Sequence, residues 1–229
     1  MNTLNLKEAV TSKKFILGIS LVICAVIFLF SARGFSNQGK YVEVKGLSER
    51  VVKSDRAIWS MGFEVKSNDI NQLYADIEKY TQAVEAFLIT KGLTAEEIST
   101  APVNVYQDTY REALYRYNAN VQMSVYTENV DLVRKASEET LPLIKQGIVF
   151  NSSFIDFQFI DLNSIKPEML EEAIANARVS AEQFAQDSGS RIGGISRANQ
   201  GVFTITEKDP GSPEFKEVRV VSTLRFMLK

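Results

Sequence analysis

The chain contains no histidine, and its single cysteine, Cys24, lies inside an apolar run. Those two absences remove Ser-His-Asp and Cys-His catalysis, Cys/His zinc sites and any intramolecular disulfide. No Ser-x-x-Lys and no G-x-S-x-G occurs, so the Ser-Lys and nucleophile-elbow routes to a hydrolase lack their residues as well. No run of Lys and Arg forms a stripe, which makes nucleic acid an unsuited partner. Neither an internal repeat nor a low-complexity segment interrupts the 229 residues. A fold without disulfides must rest on its core alone, and this length suffices for that.

What is present begins with Phe15 to Phe30, FILGISLVICAVIFLF, preceded by Lys13 and Lys14 and followed by Arg33. With Ser31 and Ala32 the run reaches the lower limit of about 17–25 residues for a spanning helix. The lysines on its N-terminal side keep that end in the cytoplasm, so the remainder is exported. This predicts a cytoplasmic N-terminus over 1–14, a transmembrane anchor over 15–32, a linker over 33–39 and a periplasmic domain over 40–229. The alternative is a cleaved signal sequence, ending near Ala32-Arg33-Gly34, that releases a soluble periplasmic protein. Without Met1–Ala32 the chain keeps 23 basic and 27 acidic residues. Gly34–Lys40 has the spacing of a phosphate-binding loop, but Tyr41 replaces the Ser or Thr and no strand precedes it. Gly193-Gly194 lacks a third glycine. No cofactor is therefore expected.

Along the exported part, alternation predicts strands at Tyr41–Val51 and Ile58–Val65, joined as a hairpin, and at Ile98–Gln107, Tyr117–Tyr126 and Ile148–Ile160. Two more follow at Ala198–Thr206 and Val218–Leu228. Helical spacing predicts Ile70–Leu88 and Val130–Gln146, the latter broken or restarted at Pro142. A third helix, Pro167–Ser188, places Leu170, Ala173, Ile174, Ala177, Ala181, Phe184 and Ala185 on one face. Its row of four alanines is flat enough for a sheet to approach the backbone. Paired strands with helices between them give an α+β class with mainly antiparallel sheet packed by helices.

Val42-x-Val44-x-Gly46, then Asp55-Arg56-Ala57 and an alternating strand, resembles the opening of the SIMPL domain of bacterial envelope proteins. LNSIKPEMLEEAIANARVSAEQFAQDSGSRIGGI, ANQGVFTI and VRVVSTLRFML are similar to its closing half, so the resemblance spans about Lys40 to Lys229. It implies an α+β periplasmic or membrane-anchored module with no established enzymatic mechanism, some relatives forming large homo-oligomers. Ser54 departs from the pattern, standing where many members have Pro.

One polar connection is rich in residue types that anchor interfaces: Tyr106, Tyr110, Arg111, Tyr115, Arg116 and Tyr117. Cross-strand pairing beside a hairpin accounts for the same tyrosines structurally. Paired glutamates such as Glu171-Glu172 are adjacent on a helix and do not face each other, which fits a solvated surface. The expected function is binding or self-assembly in the envelope without catalysis, the partners being the membrane, a second copy or an envelope protein. The alternative is an envelope hydrolase or carbohydrate-active enzyme that works with Asp and Glu only.

Overall fold

The computed structural model describes residues 40–110 and 114–229. The proposed anchor, the linker and Arg111 lie outside the described residues. Nine strands and four α-helices follow one another among them: β1 (Tyr41–Lys53), β2 (Arg56–Ser67), α1 (Ile70–Thr90), β3 (Ile98–Thr100), β4 (Asn104–Gln107), β5 (Tyr117–Thr127), α2 (Val130–Glu138), α3 (Leu141–Lys145), β6 (Phe150–Gln158), α4 (Leu162–Asp187), β7 (Ile192–Asn199), β8 (Phe203–Glu207) and β9 (Phe215–Leu228). The chain divides into two compact units. Residues 45–177 and 199–223 form the larger one. Residues 40–44, 178–198 and 224–229 belong to the smaller.

In the larger unit a five-stranded sheet has the order β3-β5-β2-β6, with β4 also on β5, and every pairing is antiparallel. Alternation sets its faces. Trp59, Met61, Phe63, Val65, Val121, Met123 and Val125 point inward and are buried. α1 covers them with Leu73, Ile77, Val84, Phe87 and Leu88, α2 with Val130, Val133 and Ala136, and α3 with Leu143. Asp69 starts α1 by accepting from the N–H of Asn71 at 2.7 Å and of Gln72 at 3.1 Å, satisfying donors that no helical carbonyl reaches. The same unit holds a smaller cluster in which Met169 and Ala173 of α4 pack on Val218 and Val220 of β9, beside Val52, Phe159 and Leu170. There β8 pairs with β9 antiparallel.

In the smaller unit the backbone closes on itself at two points. Leu228 N–H donates to Lys40 O at 2.8 Å, and Arg191 and Lys229 exchange both of their bonds, at 3.1 and 2.8 Å. Arg225 bonds Glu43 through Nε at 3.0 Å and Nη2 at 2.8 Å, and lies 4.1 Å over the Tyr41 ring.

Several expectations are corrected. β1 and β2 are not a hairpin: β1 pairs with β9, and β2 lies between β5 and β6. Between them Ser54 N–H donates to Glu214 O at 2.7 Å and Asp55 N–H to Gln158 O at 3.0 Å, so the connection serves two sheets. The Ser54 bond is one that proline cannot make. Ile98–Gln107 is two strands, because Pro102 follows the last ladder bond, Ala101 N–H to Gln122 O. The single strand expected over Ala198–Thr206 is also two, β7 and β8. Between them Gly201 has φ 76° and a β-carbon there would lie 2.0 Å from Val221 O. α4 starts five residues before Pro167, which sits inside it. Its buried face is narrower than the spacing implied. Ala173, Ala177, Ala181 and Ala185 are buried at steps of four after Met169, whereas Ile174 and Phe184 are 38% and 60% exposed.

The reason for the narrow strip is backbone proximity. At Gly46 of β1 a β-carbon would lie 1.8 Å from Ala173 O and 2.8 Å from Ala177 Cβ. Gly46→Ala should therefore lower stability by about 3 kcal/mol, the upper end of overpacking, and Ala177→Leu should act in the same direction. Gly194, with nothing within 4 Å of a β-carbon, should tolerate alanine. Glu182→Leu, at an exposed position of α4, should also stay within about 0.5 kcal/mol. Equal thermal melts for Gly46→Ala and Gly194→Ala would refute the close approach.

Candidate functional site

β5 carries two features, one at each end. At its N-terminal end, the described residues on both sides of the connection from β4 are tied together by hydrogen bonds. Asp108 N–H donates to Arg116 O at 2.8 Å, Arg116 N–H to Asn68 Oδ1 at 2.9 Å, and Asn68 Nδ2 to Leu114 O at 3.3 Å. The Tyr110 N–H donates to Asp108 Oδ1 at 3.0 Å, closing an Asx turn.

The structure sorts the expected surface residues by role. Tyr110 is 82% exposed, Tyr106 47% and Tyr115 40%. Tyr106 hydroxyl donates to Glu64 Oε1 at 3.1 Å, and Glu64 also pairs with Lys66 at 2.8 Å. Partial desolvation, then that bond, hold the phenol above the ordinary tyrosine range. Tyr117 is half-buried and packs against the core. Arg116 lies 5.4 Å over the Tyr117 ring. With the Gln107 amide turned so that its oxygen faces Arg116, that oxygen accepts from Nε at 3.1 Å and Nη2 at 3.2 Å. Sequence reasoning missed Leu114, 79% exposed beside the tyrosines, and Asn68, which bonds Leu114 and Arg116.

At the other end of β5 two clefts share Glu128. One, of about 410 Å³, is lined by Asp55, Arg56, Glu128, Ile160 and Asp161. The second, of about 460 Å³, is lined by Thr94, Glu96, Glu97, Tyr126, Thr127, Glu128 and Asn129. Asp55 holds the approach to α4: its carboxylate accepts from Ile160 N–H at 2.9 and 3.0 Å and from Asp161 N–H at 2.8 Å. Glu97 closes a capping box, accepting from Thr94 N–H at 2.8 Å, and from the Thr127 hydroxyl at 2.5 Å. Both carboxylates accept backbone N–H bonds. Among the described residues no group of three or more Asp, Glu, Cys or His has the arrangement of a metal site.

Residues 42–223 match the SIMPL family, described as a protein of unknown function (DUF541). The chain belongs to the SIMPL family. No functionally curated protein matches it. Among solved structures, the regulatory subunit of aspartate kinase from Thermus thermophilus, ligand-free, is 12% identical, with 77% of this chain and 87% of that chain covered at a TM-score of 0.21. A hydrolase from Listeria innocua is 12% identical over 80% and 92%, TM-score 0.24. An uncharacterized conserved protein from the same organism is 13% identical over 80% and 92%, TM-score 0.22. At such scores neither fold nor function transfers, and the SIMPL domain is read from its own geometry.

Hydrogen bonds from Thr127, and then from Thr94, hold the Glu97 carboxyl below the usual carboxylate range. A carboxylate depressed by folding contributes stability that is full above its unfolded value of about 4.3 and lost as pH falls through the folded value. Glu97→Gln should therefore lower stability near neutral pH by about 1 kcal/mol. The gap to the parent should shrink on acidification through that window. Melting curves across the acid range measure this, and a gap that is constant with pH would contradict it.

Proposed function

We propose that this SIMPL domain is a binding or self-assembly module of the bacterial envelope, held at the inner membrane by its apolar N-terminal run, and not a catalyst. The observation that carries the reading is the 108–116 connection. Tyr110 and Leu114 stand out into solvent, and bonds through Asp108 and Asn68 hold the backbone at Tyr110, Leu114 and Arg116. Exposed aromatic and aliphatic anchors on hydrogen-bonded backbone lose little freedom on association, which is what gives such residues their weight in an interface. The partner is protein: a second copy of this chain or another envelope protein. The Phe15–Phe30 run and its flanking lysines supply the tether.

Two expected outcomes test this. Tyr110→Ala combined with Leu114→Ala should leave the melting curve of the full-length protein within about 0.5 kcal/mol of the parent. In light scattering of the detergent-solubilised chain it should give smaller particles, or in crosslinked membranes lose a captured partner. The corresponding weakening is about 2 kcal/mol, roughly thirtyfold. Normal melting with unchanged particle size and unchanged crosslinks would remove this surface. The tether is checked separately. The chain should sediment with membranes, and a C-terminal reporter should work outside the cytoplasm; a shortened species in the soluble periplasm would replace the anchor with a cleaved signal.

A further inference from the structure

Arg56 opens β2 opposite Gln158 of β6, at the far end of the sheet from the tyrosine connection. Its guanidinium lies 4.7 Å over the Tyr126 ring. Its Nε is shielded from solvent and makes no hydrogen bond, and among the described residues the side chain enters no ion pair. That N–H is closed to solvent and so to a ligand; what Arg56 presents to the cleft is the rest of its guanidinium, with which no acid among the described residues pairs. The guanidinium faces a cleft of about 410 Å³, within the size range of small-ligand sites.

The lining restricts what can enter. Of the three carboxylates there, Asp55 is held by the Ile160 and Asp161 amides, whereas Glu128 and Asp161 are exposed with no bond to Arg56. A guanidinium matches a carboxylate as a two-pronged donor. A simple anion, however, would reach it past two or three negative charges. A simple cation would suit Glu128 and Asp161 but leave Arg56 unmatched and repelled. Only a molecule bearing both charges satisfies both sets. Ile160, 45% exposed, gives the wall an apolar surface for a small side chain.

We propose that the Arg56 cleft binds a small zwitterion, a free amino acid or a short peptide with both ends free. The ligand carboxylate lies on the Arg56 guanidinium, and its ammonium lies toward Glu128 and Asp161. This site is separate from the tyrosine connection and does not depend on that surface being an interface.

The test is calorimetric titration of the full-length, detergent-solubilised protein with glycine and with dialanine. It also uses dialanine acetylated at its N-terminus, dialanine amidated at its C-terminus, acetate and methylammonium. Saturable binding of glycine or dialanine is expected, with each blocked or singly charged probe weaker by at least about tenfold. Arg56→Gln should abolish binding, Arg56→Lys should weaken it, and Glu128→Gln, an exposed change, should weaken it with normal melting. The Tyr110/Leu114 double variant should bind as the parent does. No saturable binding of either zwitterion up to about 10 mM would overturn the proposal. So would equal binding of the blocked probes, or unchanged binding by Arg56→Gln. Should Arg56→Gln fail to fold, the blocked probes and Glu128→Gln decide alone.

Discussion

At Gly46 the backbone of β1 and that of α4 come so close that there is no room for a β-carbon against Ala173 and Ala177. Much of the larger unit follows from that approach. With the two backbones in contact, side chains flanking the seam reach across it. Asn176 Nδ2 donates to Leu47 O at 2.8 Å, Ser48 hydroxyl to Glu172 at 2.9 Å, and Arg50 to Glu168 at 2.6 Å. These polar bonds are individually modest, and the exposed Arg50–Glu168 pair least of all. Their common effect is to fix the register of strand against helix. The small residues are therefore a condition of the geometry, and the polar seam is its consequence.

The next link is the Lys53-Ser54-Asp55 connection. A strand held in register on α4 delivers these residues to one place. There Asp55 takes the amides of Ile160 and Asp161, just before α4 begins at Leu162. The carboxylate supplies what the exposed N–H groups near a helix start require, so α4 can begin five residues earlier than Pro167. Ser54 donates to Glu214 O, and the nearly buried Glu214 carboxylate pairs with Arg134 of α2. Lys53 bonds Asp131 of the same helix at 2.5 Å. Three consecutive residues thus bind the connection to β6, the β9 approach and α2. An amide at position 54 does work there that a proline's fixed φ would not replace.

Period is what made parts of this fold legible. β2, β5 and β9 alternate, and α1 repeats Ile70, Leu73, Ile77, Val84 and Leu88, because each buries one face in a continuous core. Pairing was not legible: β1 lies next to β2 in sequence but on β9 in the sheet, and nothing local in VEVKGLSER encodes a partner so distant. The breaks at Pro102 and Gly201 depend on which ladder bond is missing, a tertiary fact. The narrow face of α4 misled for a related reason. Small side chains let a strand come in close, and a close strand covers only one row, leaving Ile174 and Phe184 to solvent. At the candidate site the residue types were readable, but roles were not. Tyr117 and Tyr110 look alike in sequence, yet register puts one against the core and leaves the other in water. Arg56 carried a sign only as part of Asp55-Arg56-Ala57, which marks the turn and says nothing of an unmatched guanidinium.

The two ends of β5 differ in the chemistry they offer because the strand's middle is committed. Val121, Met123 and Val125 are buried, and the partners on both sides, β2 with β3 and β4, take its backbone bonds. What varies is confined to the ends, where the ladder stops and backbone or side-chain groups are free to meet something else. The chain enters β5 at Tyr117 from a connection with Tyr106, Tyr110 and Leu114 exposed, the proposed protein contact. It leaves beyond Tyr126 between Arg56 and Glu128, where the proposed zwitterion cleft opens. Nine residues of strand separate them, roughly 30 Å, well beyond the distance at which independent sites usually couple. A change at one end therefore has no direct route to the other except through the strand's buried middle, which α1 and α2 close on the helix side.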